Sequence, residues 1–127
     1  MTERTQEWAE RVGREAVELG FVLKPGMAWL SASRGGGRKV SHALPGDMDW
    51  QMPDFRDRLT ELACIAWVED VAREVYGDVD VEFRRNCTGW WWVDVEHAIN
   101  PDRRVFFNAP TLAEACIAAV RAMKGGE

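Results

Sequence analysis

Residues 88–97 read Thr-Gly-Trp-Trp-Trp-Val-Asp-Val-Glu-His (TGWWWVDVEH), with Trp90, Trp91 and Trp92 in succession. On a strand, consecutive side chains point to opposite faces, so one core cannot take all three indoles. The flanking pattern settles which face is which. Pairing 90–96 with 79–84 around the turn 85–89 sets Phe83 opposite Trp91, Val81 opposite Val93 and Val79 opposite Val95. Pairing it with 104–108 sets Val95 opposite Val105 and Val93 opposite Phe107. All five pairs are apolar and share one face, and a one-residue slip would destroy the agreement. The sequence therefore predicts an antiparallel meander of strands 79–84, 90–96 and 104–108. Trp91 and the valines face a core. The other face carries Asp80, Glu82, Arg84, Trp90, Trp92, Asp94, Glu96, Arg104 and Phe106.

Helical periodicity surrounds this meander. Residues 54–76 carry Phe55, Leu59, Leu62, Ile65, Ala66, Val68, Ala72 and Val75 as a broad apolar stripe, after Pro53 and before Gly77. Thr111-Leu-Ala-Glu114 is a capping box that opens a helix over 111–123. At the other end, Trp8, Val12, Ala16 and Leu19 predict a helix over 5–19 that stops at Gly20. The stretch 21–50 is less regular: Met27 to Ala32 and Val40 to Leu44 suit a hairpin whose tip, 33–39, is a flexible glycine-rich loop. The expected class is α+β. One α/β sandwich domain spans 1–127, its meander packed against helices 54–76 and 111–123, and the hairpin is available to cover the other face.

Composition narrows the function classes. The chain has 127 residues, 46% hydrophobic and 29% charged, enough for one core without covalent staples. Its net charge of -5 argues against nucleic acid or an anionic membrane as partner. The N-terminus is charged from Glu3 and lacks an apolar leader segment, and no run approaches the roughly 18 apolar residues of a membrane span. Of three cysteines, Cys64 and Cys116 fall within helical apolar patterns and Cys87 in a turn, with no paired spacing for a disulfide or metal. A reducing cytoplasm is the expected location.

From about Met52 onward the chain resembles a family of small bacteriophage proteins built on the phage ABA sandwich domain. The resemblance is carried by Ala66-Trp67-Val68-Glu69-Asp70-Val71, by Gly89-Trp90-Trp91-Trp92, and by Ala109-Pro110-Thr111-Leu112-Ala113-Glu114-Ala115-Cys116-Ile117-Ala118-Ala119. The order Pro-Thr-Leu and the tripled tryptophan depart from the family pattern, and the glycine-rich segment has no counterpart in it. The resemblance implies a phage or prophage origin, an α/β sandwich and no assigned enzymatic activity.

Three surfaces carry chemistry. Trp90, Trp92 and Phe106, with Glu82 and Asp94 beside them, form an aromatic and acidic patch of the kind that anchors protein interfaces. The plainer alternative is that residues 1–50, which have Trp8, Phe21, Leu23, Met27, Trp29 and Trp50 to bury, cover that face. Arg34, Arg38 and Lys39 in the glycine-rich loop could hold a nucleotide or phosphate, although the P-loop ending is missing. Asp80 opposite Asp94, with Glu96 and His97 near, would suit a divalent cation, but Arg104 opposite Glu96 is a simpler compensation. A Cys or Ser nucleophile would need a neighbouring histidine, and Cys87 lies at the far strand end from His97. The expectation is a non-enzymatic protein without cofactor or metal that binds a host or phage protein, an inhibitor of a bacterial defence being one such role. The alternatives are a small-ligand binder using the Arg34–Lys39 loop and a self-associating module that buries its aromatic face in a homodimer.

Overall fold

A computed structural model describes residues 4–24, 26–31, 38–40, 51–100, 102 and 104–125. The fold is α+β, with three helices and two antiparallel sheets. In order these are α1 (Gln6–Glu18), β1 (Ala28–Ser31), β2 (Arg38–Val40), β3 (Gln51–Pro53), α2 (Arg58–Tyr76), β4 (Val79–Arg85), β5 (Trp91–His97), β6 (Arg104–Ala109) and α3 (Leu112–Gly125). The chain divides into two compact units, 3–61 and 62–127, the boundary falling between Glu61 and Leu62.

In the first unit the sheet order is β2-β1-β3, with Trp29 between Lys39 and Pro53 and Leu30 opposite Met52. A hairpin of β1 and β2 is present, but its return strand is Arg38–Val40 rather than 40–44, so Arg38 and Lys39 belong to a strand and not to the expected flexible loop 33–39; β3 adds a third strand. Residues 32–37 and 41–50 lie outside the described residues. Thr5 caps α1, its hydroxyl accepting the Trp8 N–H at 3.1 Å, and Gly20 follows with φ of 101°, where glycine meets no steric penalty. The face of α1 formed by Trp8, Ala9, Val12, Gly13 and Ala16 is buried, with Phe21, Ala28, Leu30, Met52 and Phe55 completing the apolar set. The rings of Phe21 and Phe55 meet edge to face at 5.4 Å. At Gly13 the helix lies so close to β3 that a Cβ would run into the Pro53 carbonyl oxygen and press on the Met52 side chain.

Polar anchors hold the link from β3 into α2. The Asp54 carboxylate, fully buried, accepts three bonds from Arg56, one from the backbone N–H and two from the guanidinium, each at 3.0 Å. Asp57 caps α2 by accepting the Thr60 N–H at 3.1 Å. The Thr60 hydroxyl donates to Asp57 at 2.7 Å and accepts the Ala28 N–H of β1 at 2.8 Å. The predicted helix is corrected in two ways. It starts at Arg58 rather than at 54, because Asp57 is its cap. Its buried face matches the predicted stripe only in part: Phe55 ahead of the helix, Val68 and Ala72 are buried as expected, joined by Thr60, Glu61, Cys64 and Val71, whereas Leu59 is 77% exposed and Leu62, Ala66 and Val75 are also outside.

In the second unit the sheet order is β4-β5-β6. Helix α3 packs on β5 and β6, burying Leu112, Ala115, Cys116, Ala119, Val120 and Met123 together with Val93, Val95 and Val105. Its start is the predicted cap: the Thr111 hydroxyl accepts the Glu114 N–H at 3.2 Å and donates to the Glu114 carboxylate at 2.8 Å. The β5–β6 register is the one the apolar pairs require, with Val95 opposite Val105 and Val93 opposite Phe107. The β4–β5 register is shifted by two residues from expectation: Phe83 faces Val93, Val81 faces Val95 and Val79 faces His97. Apolar pairing fixes the face but tolerates a two-residue slide, so the turn decides. The Asn86 side-chain carbonyl accepts the N–H groups of Thr88 (3.0 Å) and Trp90 (3.1 Å) and the Thr88 hydroxyl. The Asn86 N–H in turn bonds the Trp90 carbonyl at 2.9 Å, so the loop is centred on Thr88, one residue later than the apolar pattern implies.

Candidate functional site

The outward face of the second sheet carries Asp80, Glu82 and Arg84 from β4, Trp92, Asp94 and Glu96 from β5, and Arg104, Phe106 and Asn108 from β6. Of the five residues expected to meet a partner, the register places Glu82, Trp92, Asp94 and Phe106 on this face, and Trp90 comes just before β5, its N–H and carbonyl bonded to Asn86. Trp90 is 43% exposed and Phe106 44% exposed. Trp92, in the central strand, is half-buried, with its ring edge-to-face against Phe106 at 5.5 Å. Its indole N–H is shielded from solvent and has no hydrogen-bond partner among the described residues. Leaving such a donor unpaired costs about 1–3 kcal/mol. Trp91 faces the other way, alongside Val93 and Val95, and is half-buried.

Charge on this face is organised by two arginines. Arg104 meets Asp94 side-on, Nε at 2.9 Å and Nη2 at 2.7 Å, reaches Glu96 at 3.9 Å, and lies 5.7 Å from the Phe106 ring centre. Its pKa is raised above the ordinary arginine value, first by the hydrogen bonds to Asp94 and then by the Asp94 charge. Arg84 pairs with Glu82 of its own strand at 3.0 Å. Asp80 and Glu96 sit directly opposite each other, like charges on neighbouring strands. Four carboxylates against two guanidiniums leave the aromatic patch in a net acidic surround.

The cation site considered from the sequence does not assemble. Asp80 faces Glu96 rather than Asp94, because of the shifted register, and both Asp94 oxygens are taken by Arg104. The Nδ1 atom of His97 accepts the N–H groups of Ile99 at 3.2 Å and Asn100 at 2.9 Å, so this imidazole closes the β5–β6 turn. His42 lies outside the described residues. Among the described residues no group of three His, Cys, Asp or Glu side chains could hold a metal ion. Cys64 and Cys116 are buried and Cys87 is exposed, all three as free thiols.

The alternative phosphate loop is described only in part. Arg34 lies outside the described residues, while Arg38 and Lys39 belong to β2, where they pair with Leu30 and Trp29. Two contributors escaped the sequence reading. Asn108 extends the exposed face by one further step of the same alternation, and Asn86 sets where Trp90 emerges, a role signalled by the Asn-Cys-Thr-Gly turn composition. No helix among the described residues is long and apolar enough to cross a membrane. Comparison with protein-family models, with curated proteins and with solved structures gives no match.

Proposed function

We propose that the protein acts by binding another protein through the outward face of the C-terminal sheet, with Trp90, Trp92 and Phe106 as anchors and Glu82 and Asp94 as acidic neighbours. One observation carries this reading. A face built on three paired strands leaves two large aromatic side chains more than two-fifths exposed, where a monomer gains nothing from exposing them. Interface anchors are enriched in such residues, and a net acidic surround favours a partner with a basic surface. The resemblance of residues 52–127 to small phage proteins supports placing it as a phage-type accessory factor in the host cytoplasm. Its target is then a host or phage protein, a bacterial defence component being one such target. Nothing in this reading calls for catalysis or a cofactor.

The test compares wild type with Trp90→Ala and with Trp90→Ala/Phe106→Ala as tagged baits in bacterial lysate, with retained proteins read by mass spectrometry. A partner held at stoichiometric level by wild type and lost by the variants, whose circular dichroism is unchanged, is the expected result. Retention of the same partner by both variants would sink the assignment of this face.

A further inference from the structure

The two edges of the second sheet are built differently. Strand β4 (VDVEFRR) carries Asp80, Glu82, Arg84 and Arg85, and such charges guard an edge strand against pairing. Strand β6 (RVFFNA) has one charge, Arg104, already engaged with Asp94 of β5, and at its centre the exposed ring of Phe106. Among the described residues its edge lacks the usual guards.

The hydrogen-bond parity of the sheet shows which main-chain groups that edge offers. Bonds from Asn86 N–H to Trp90 and from Ala98 N–H to Asp78 place the β4–β5 bonded pairs at even positions, so Trp92, Asp94 and Glu96 bond toward β4. The odd positions of β5 then bond toward β6, and their opposites there are Val105, Phe107 and Ala109. This leaves the N–H and C=O groups of Arg104, Phe106 and Asn108 directed outward, and none of them has a hydrogen bond to a described residue outside the sheet. All three of these residues also project their side chains onto the exposed face.

We propose that β6 is a dimerisation edge: two copies of this chain pair β6 against β6, antiparallel, about a two-fold axis at Phe106. This register sets Phe106 opposite Phe106 of the partner subunit and Arg104 opposite the partner's Asn108, and engages every outward group of the strand in about six main-chain bonds. Sliding by one bonded pair would bring Pro110, which has no N–H, opposite Arg104 and leave the Arg104 carbonyl without a donor. The apolar contact is self-complementary, Val105 facing the partner's Phe107 on one side of the sheet and the Phe106 rings meeting on the other, as an isologous two-fold interface requires. The aromatic faces of both copies then lie on the same side of one continuous sheet. A contact this small predicts micromolar association. Phe106 then serves both the dimer and the proposed partner, and Trp90→Ala, which spares the seam, separates loss of the partner from loss of the dimer.

Sedimentation equilibrium of the purified chain tests it. Wild type is expected to show a monomer–dimer equilibrium, Phe106→Lys to be monomeric with unchanged circular dichroism, and Trp90→Ala, away from the edge, to dimerise like wild type. In a Cys87→Ser background, diamide is expected to cross-link Phe106→Cys into a covalent dimer, because bonded antiparallel pairs lie about 5.5 Å apart between Cα atoms, within disulfide range. Arg104→Cys is expected not to cross-link. A wild-type chain that stays monomeric at high micromolar concentration overturns the proposal and leaves the edge to a strand of another protein. Cross-linking through position 104, or loss of the dimer in Trp90→Ala, overturns it as well by placing the contact elsewhere.

Discussion

The two three-stranded sheets of this protein are held together by different means. The C-terminal sheet, of seven-, seven- and six-residue strands, is cemented by an apolar face under α3, with polar groups confined to its other face and its turns. The N-terminal sheet has strands of four, three and three residues, too short for a long apolar ladder. Beside the apolar set under α1 it has buried polar anchors, namely Asp54 with Arg56, and Thr60 with Ala28 and Asp57. Apolar burial tolerates small errors of position, whereas a buried carboxylate or hydroxyl has to meet its partner or pay desolvation. The first unit should therefore be brittle toward polar substitutions and the second toward loss of volume.

The sharpest way to break that contrast is Asp54→Ala. The variant loses the three hydrogen bonds that the buried carboxylate accepts from Arg56, whose side chain is 24% exposed and whose pKa is raised chiefly by its hydrogen bond to Asp54, and a loss of about 3 kcal/mol is expected in urea unfolding. Gly13→Ala comes next. Alanine favours a helix interior by about 1 kcal/mol, yet the collision with the Pro53 carbonyl should reverse the sign and cost about 2 kcal/mol net. In the second unit Val95→Ala, deleting fully buried volume, should cost about 2 kcal/mol, while Val95→Thr tests how little polarity that core accepts. Thr60→Val keeps shape and removes the hydroxyl, leaving the Ala28 N–H without that acceptor, so about 1 kcal/mol should be lost. Smallest of all, Trp90→Ala should change stability by less than about 1 kcal/mol, because 43% of the residue is already open to solvent. A loss above about 2 kcal/mol there would make Trp90 a structural residue and remove it from the binding face.

The same contrast explains what the sequence made legible. Alternation along Val79–Arg85, Trp91–His97 and Arg104–Ala109 declares a strand and its faces at once, so the meander and its aromatic face are legible in the sequence. Alternation carries no information about a two-residue slide, and Asn86, whose amide fixes that slide, belongs to the turn rather than to the pattern. In α2 the apolar stripe is too broad to fix the buried side: Val68 and Ala72 lie inside but Leu59, Leu62 and Ala66 outside, and the buried Thr60, a polar residue, leaves no hydrophobic signal. The proposed binding residues were found by exclusion: once the valines and Trp91 claim the core face, Trp92 and Phe106 have only the other.

The amide of Asn86 has a consequence for how the chain folds. Every bond it makes lies within four residues, and the strands it joins are neighbours in sequence, so this turn can close before any distant segment arrives. By contrast β1 must find β3 across more than twenty residues, at a larger loop-closure entropy. The hairpin closed by Asn86 is thus the natural nucleus. Asn86→Ala should slow refolding nearly in proportion to the stability it removes, whereas Thr60→Val should act mainly on the unfolding rate.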